Sequence, residues 1–248
     1  LARRNTEGFY WNHQAVGVKA ATEEFTNPYW GKTFLDIANQ EDWTDWVSQV
    51  LVPLYWEDEQ AASASANTFM GNNIKVGSAR VRTVRMKNHS CTLNTKWVDT
   101  NDTTLFPDVC YSDFKSGEVD TALDQYGNFP HVDCQNSFFM KVEGKTRDWD
   151  CAGNILDVPF NETRKKAEKT ITNVAVGNYF ADATHSRLAL TEIIHYNPTL
   201  DIFSLSQNWV EISAGGAYLP QTRTTFFEVM TSNNNFAQAY LVIFFLVV

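Results

Sequence analysis

Five histidines and four cysteines are the side chains with which this 248-residue chain could hold a metal or attack a carbonyl group. His13, His89, His131, His185 and His195 are dispersed, and none forms the helical His-Glu-x-x-His pair of zinc hydrolases. Cys91, Cys110, Cys134 and Cys151 lack the Cys-x-x-Cys spacing of structural zinc sites. Their even number suits two disulfides, for which four cysteines allow three pairings. Neither a phosphate-cradling glycine loop nor a nucleophile elbow is present, and "GNNIKVG" and "SAGGAYL" read as glycine turns. Carboxylates gather in "QEDWTDW" and "YWEDEQ", but an acid–base pair from distant segments is invisible in spacing, and solvated acidic surface is the plainer reading. "DTNDTT" has the flavour of a calcium loop without its glycine or its terminal bidentate glutamate. No catalytic residue and no metal ligand is assigned, which sets a secreted hydrolase aside.

Three sequons, at Asn88, Asn101 and Asn161, are acceptors for N-linked glycans, the one covalent addition expected. Together with paired cysteines they indicate a secreted or luminal surface. A net charge of −9 argues against a nucleic-acid partner. In an acidic chain the basic run "RVRTVRMK" reads as an edge strand whose charges block further strand pairing, on a solvated face or an interface.

The elements that would position these groups divide the chain into a helical start and a strand-rich end. Asn39 is placed to cap a helix, with Asp42 at the third position favouring its positive end. Trp43, Trp46, Val47, Val50, Leu51 and Leu54 follow the three–four spacing of one buried face, and Pro53 limits the helix. From Asn72 alternation predicts a strand, with Arg80, Arg82 and Val84 on one side and Val81, Thr83 and Arg85 on the other. Cys110 to Val174 shows no strong period and reads as long loops pinned by cysteines. Helical spacing returns over Phe160 to Ile171 and over Arg187 to Ile194. "TRTTFFEVMT" and "FAQAYLVIFFLVV" read as two strands joined by a turn at Asn233 to Asn235. The fold class expected is α+β, an antiparallel sheet with helices packed on it, while a length of 248 residues leaves the domain count open. Residues 1–10 lack the apolar core of a signal peptide, and Phe236 to Val248 falls short of the ~20 apolar residues of a spanning helix. The chain is therefore expected to be a piece of a longer membrane protein.

"GSARVRTVRMKNHSC" resembles a segment of the polycystin channel family, in which an arginine-rich strand, carrying Arg80, Arg82 and Arg85 here, runs into Asn-x-Ser-Cys. In that family the cysteine bonds a second one followed by tyrosine, so the resemblance implies a Cys91–Cys110 bridge ahead of Tyr111 and leaves Cys134 and Cys151 to each other. "EDWTDWVSQVLVPLYW", with Trp43, Trp46, Tyr55 and Trp56, resembles the family's tryptophan-bearing helix. "VGNYFADA" resembles its glycine–tyrosine strand. "YLPQTRTTFFEVMTSNNNF" resembles its Thr-Arg strand and Asn-x-Asn turn through Thr222, Arg223, Phe226, Glu228, Asn233 and Asn235. The resemblance implies one extracellular or luminal domain over residues 1–248, with a disulfide-bridged loop lobe on its sheet, between the first two membrane helices of a polycystin-2-like cation channel, permeable to calcium and non-selective. It further implies a homotetramer, a ciliary or endoplasmic-reticulum membrane, and a polycystin-1-like subunit or extracellular ciliary proteins as partners. A non-conducting receptor or adhesion module of a polycystin-1-like protein would share these motifs. Two departures stand out: residues 111–172 form an elaborated, loop-rich insertion carrying the extra cysteines, and "EISAGGAY" separates Trp209 from Leu219.

Overall fold

The computed structural model describes residues 33–56, 68–69, 72–91, 109–121, 130–133, 141–176 and 180–228. Helix α1 (Gln40–Trp46) starts as its sequence predicts: the Asn39 side chain accepts the Asp42 amide at 2.8 Å, and the Asp42 carboxylate reaches back to the Ala38 amide at 3.1 Å. Trp43, Trp46, Val47, Val50 and Leu51 are buried. Pro53, however, does not end the helical run. Val47–Leu51 widens into a π turn, with the Val52 N–H bonded to the Val47 carbonyl, and α2 (Val52–Tyr55) continues from it. Proline clashes with the carbonyl four residues back in an ordinary helix, and a π turn opens the ladder where that clash would fall.

Eleven strands are described: β1 (Thr68–Phe69), β2 (Asn73–Arg85), β3 (Asn88–Ser90), β4 (Val109–Tyr111), β5 (His131–Val132), β6 (Val142–Glu143), β7 (Asp148–Trp149), β8 (Gly153–Pro159), β9 (Ser186–Asn197), β10 (Ile202–Ile212) and β11 (Tyr218–Glu228). Seven form one antiparallel sheet in the order β11-β10-β9-β2-β8-β5, with β1 also on β2. Gly77, with φ of 71°, sits where the β2–β9 register shifts, a bulge that favours glycine.

Four sequence expectations change here. The arginine-rich strand β2 lies in the middle of the sheet between β9 and β8, not at an edge. Arg187 to Ile194 is strand, because β9 is covered on both faces and its near-continuous apolar run mimics helical spacing. Within the stretch read as loop-rich, Gly153–Pro159 forms interior strand β8, whose seven residues are too few to register as a period. Phe180 to Ala183, expected as strand, is bend and turn. The "EISAGGAY" segment is the β10–β11 hairpin turn, closed by Ser213 N–H to the Ala217 carbonyl at 2.9 Å with Gly216 at φ 81°. The partner proposed for Thr222 to Thr231, Phe236 to Val248, lies outside the described residues, as does the Asn233–Asn235 turn; β11 pairs with β10.

Alternating residues send the sheet's two faces into different cores. Ala79, Val81, Val158, Ala189, Ile193, Val210 and Ile212 meet α1, α2 and α3 (Arg164–Val176) through Trp43, Trp46, Trp56 and Ile171. The other face packs Val84, Leu188, Leu190 and Trp209 beneath Val142 and Trp149 of the β6–β7 hairpin. Each fully buried large side chain contributes roughly 1.5–3 kcal/mol relative to exposure.

On that second face a polar row crosses five strands in register, Arg223–Gln207–Glu192–Arg80–Asp157. Arg80 makes a bidentate bond to Asp157 at 2.7 and 2.8 Å, Gln207 donates to Glu192 at 2.8 Å, and Arg223 donates to Gln207 at 3.0 Å. Arg82, one rung along, is 1% exposed and donates to the carbonyls of Asp150 and Ala152. The expectation of a solvated face or an interface does not hold for Arg82, which the chain's own Asp150 to Ala152 segment covers; burial pulls its guanidinium below its ordinary pKa against the fields of Glu192 and Asp150. Alternation shows which residues share a face; it does not show what covers that face.

Candidate functional site

Beyond β2 the chain leaves the sheet to build a small lobe. Strands β3 and β4 pair antiparallel, with His89 opposite Cys110, and the Cys91–Cys110 disulfide ties the ribbon diagonally at a Cα–Cα distance of 5.0 Å. Closing that loop contributes roughly 3 kcal/mol in the chain-entropy view. A 3-10 turn (Ser116–Glu118) then folds the following chain back, held by the Glu118 carboxylate against the Ser112 hydroxyl and the Lys115 ammonium. Backbone bonds fix the return to the end of β2: Lys87 N–H to the Glu118 carbonyl and Asp120 N–H to the Arg85 carbonyl, each 2.8 Å.

One buried cation joins this lobe to the sheet. Arg187 is the second residue of β9 and is 1% exposed. It donates to the carbonyls of Tyr111 and Ser112 on the lobe, at 3.2 and 3.0 Å, to those of Ala183 and Thr184 on the turn before β9, and to that of Ser186, the first residue of the strand. The planar guanidinium fork suits this role, presenting several donors in fixed directions. Burial lowers its pKa while Asp113 and Asp182 oppose the shift. Beside it the His185 ring, bonded to Asp182, meets the Tyr111 ring edge-on at 4.2 Å between centroids.

One carboxylate clamps the β6–β7 hairpin to the same end of the sheet. Glu211 on β10 is 1% exposed and accepts from Lys145 N at 2.6 Å, Thr146 N at 3.2 Å, Thr146 Oγ1 at 2.6 Å, Trp149 Nε1 at 2.8 Å and Gln221 Nε2 at 2.8 Å. Gly144 is required here, since a Cβ at that position would collide with the Glu211 carboxylate. Burial disfavours the charge, but bonds from Thr146, Trp149 and Lys145 outweigh it and hold the carboxyl below the ordinary range. Arg147 of the hairpin reaches the lobe, donating to the Phe114 carbonyl at 2.9 Å with its guanidinium over the Phe114 ring. Lobe, hairpin and sheet thus meet around Asp113, Arg147, Arg187 and Glu211.

The residues singled out in the sequence scatter around this junction. Asn88 on β3 and Asn161 in the turn before α3 are exposed; Asn101, Cys134, Asn233 and Asn235 lie outside the described residues. Cys151 is 1% exposed and disulfide-bonded. Trp43 stacks on Phe180 at 5.7 Å, and Trp56 donates its indole N–H to the Pro159 carbonyl at 2.9 Å. Tyr55 stacks on Phe69. Arg85 is half-buried, Thr222 donates to Asn208 Oδ1 at 2.7 Å, Phe226 is 63% exposed, and Glu228 ends β11. Arg187 and Glu211 were not singled out; their one sequence signal is a charge inside an apolar strand, which spacing alone does not distinguish from a surface residue. Among the described residues no group of three or more His, Cys, Asp or Glu is arranged to hold a metal, and no helix is long and apolar enough to cross a membrane.

Comparison with known proteins agrees with this architecture. The Polycystin domain family model matches residues 33–230, which takes in every described element. Polycystin-2 of Caenorhabditis elegans is 18% identical over 235 residues, covering 93% of this chain and 31% of the relative, so the chain spans about a third of that protein's length. With an α+β sheet, a bridged lobe and the family match over most of its length, the chain belongs to the polycystin domain family.

Proposed function

We propose that the chain is the extracellular or luminal domain of a polycystin-2-like cation channel, joined at both ends to membrane helices, and that it serves assembly and gating rather than catalysis. The observation that carries this reading is the disulfide lobe fastened to the sheet through Arg187. A domain tethered to the pore can bias it only through contacts that differ between states, and a braced lobe is a surface able to make them. Four copies around a calcium-permeable, non-selective pore are the assembly this predicts, in a ciliary or endoplasmic-reticulum membrane. The family match and the relative's greater length both support a larger membrane protein around this domain.

Current recorded from the full-length channel with Cys91→Ser, beside a surface-expression control, tests the reading. A severalfold fall in current or in tetramer at the surface is expected; wild-type current together with wild-type assembly removes the domain from gating. A second expectation concerns topology. Asn88 and Asn161 are exposed and should carry glycans, so Asn88→Gln and Asn161→Gln should each remove one glycosidase-sensitive mass increment. Protein from native membrane with no such increment places these residues on the cytosolic side.

A further inference from the structure

His195 on β9 is 1% exposed, and among the described residues neither of its ring nitrogens has a hydrogen-bond partner. Its ring contacts Phe69 of β1 at 4.9 Å and Tyr55 of α2 at 5.7 Å between centroids, while those two rings stack on each other at 4.7 Å. Across the β2–β9 register stands Lys75, itself buried, donating its ammonium to the Tyr55 carbonyl at 2.7 Å. The imidazole is thus an aromatic packing unit beside a fixed positive charge. A buried polar group without a partner is costly, and the cost rises steeply when the group becomes charged.

We propose that His195 is an acid-sensitive latch: neutral, it holds α2 and β1 to the sheet through Tyr55 and Phe69, and protonated, it releases them. The groups facing it decide the direction. From β2 it meets Lys75, a like charge; from α2, the Tyr55 phenol ring; from β1, Phe69; and β10 presents Ser204 opposite it. Glu192 lies on the other face of β9, bonded to Gln207. None of these offers an imidazolium a carboxylate partner. Burial is the largest cause that pushes the imidazole down to about 3, and the nearby Lys75 ammonium acts in the same direction. Because the buried form binds a proton less readily than the released form, the latch is fully closed above the ordinary histidine value of ~6.5 and weakens as pH falls from there toward about 3. Between pH 7.4 and 5.0 the opening equilibrium should rise about thirtyfold by this linkage.

Hydrogen–deuterium exchange on the purified full-length protein tests the latch, with rates corrected for intrinsic chemistry at each pH. Peptides carrying Tyr55 and Phe69 should lose protection about thirtyfold at pH 5.0, while those of β10 hold theirs. In His195→Phe, which fills the same aromatic site without titrating, the change should vanish. If that variant fails to fold, His195→Asn, also neutral at both pH values, carries the same comparison. Equal protection of the wild type at the two pH values overturns the proposal, and so does an undiminished acid response in either folded variant.

Discussion

Glu211→Ala is expected to cost about 3–5 kcal/mol, a large share of the 5–15 kcal/mol by which a typical domain is stable. The carboxylate accepts from two backbone amides, a hydroxyl, an indole and a side-chain amide, and it does so at 1% exposure. Alanine leaves those donors facing one another without an acceptor and removes the centre around which the 144–147 turn folds. Loss of the clamp should also free the β6–β7 hairpin, exposing Trp149 and the apolar patch of Leu188, Leu190 and Trp209 beneath it. Glu211→Gln retains one acceptor oxygen but points an amide N–H at the Lys145 and Thr146 donors, so its loss should be intermediate. Chemical denaturation gives the free energies, and a red shift of tryptophan emission before global unfolding reports the hairpin. Alanine variants within 0.5 kcal/mol of wild type would show that the hairpin is held by packing instead.

Arg187→Met should cost about 2–4 kcal/mol and loosen the lobe in particular. Methionine keeps much of the buried stem but none of the donors, so five backbone carbonyls from two separate segments lose the guanidinium. Lysine should not rescue the position, because a single ammonium cannot reach both Tyr111–Ser112 and Ala183–Ser186 in the geometry the fork provides. Proteolysis and amide exchange across residues 109–120 would register the loosening with the Cys91–Cys110 bridge intact. Recovery of full protection in Arg187→Lys would mean that charge alone, rather than directed bonding, anchors the lobe. Arg187→Met also separates two contributions to the proposed gating role, since it loosens the lobe's attachment without opening its disulfide.

Local chemistry is what the sequence by itself determined. Asn39 and Asp42 cap α1 with side chains three and four residues from their backbone partners, and the tryptophan spacing over Trp43 and Trp46 defines a buried face whatever packs on it. The β-branched and aromatic run at Thr222 to Phe227 is strand for the same local reason. The acceptor asparagines and the net acidity are likewise properties of short stretches or of composition.

Only the tertiary structure decided which strand neighbours which. An alternating pattern marks two faces of β2 but cannot say that β8 and β9 flank it, so an interior strand with a buried Arg82 was read as a charged edge. Strand β9 imitates a helix in sequence because both its faces are covered, a fact that exists only once two cores have formed. The junction around Arg187 and Glu211 was illegible for a further reason. The bonds that tie Arg187 to the lobe and Glu211 to the hairpin join residues 62 to 76 positions apart, and no local period or propensity encodes a contact at that separation. A charge in an apolar strand is stable inside a protein only when the fold brings its partners to it, and that meeting is settled by packing rather than by the residues on either side.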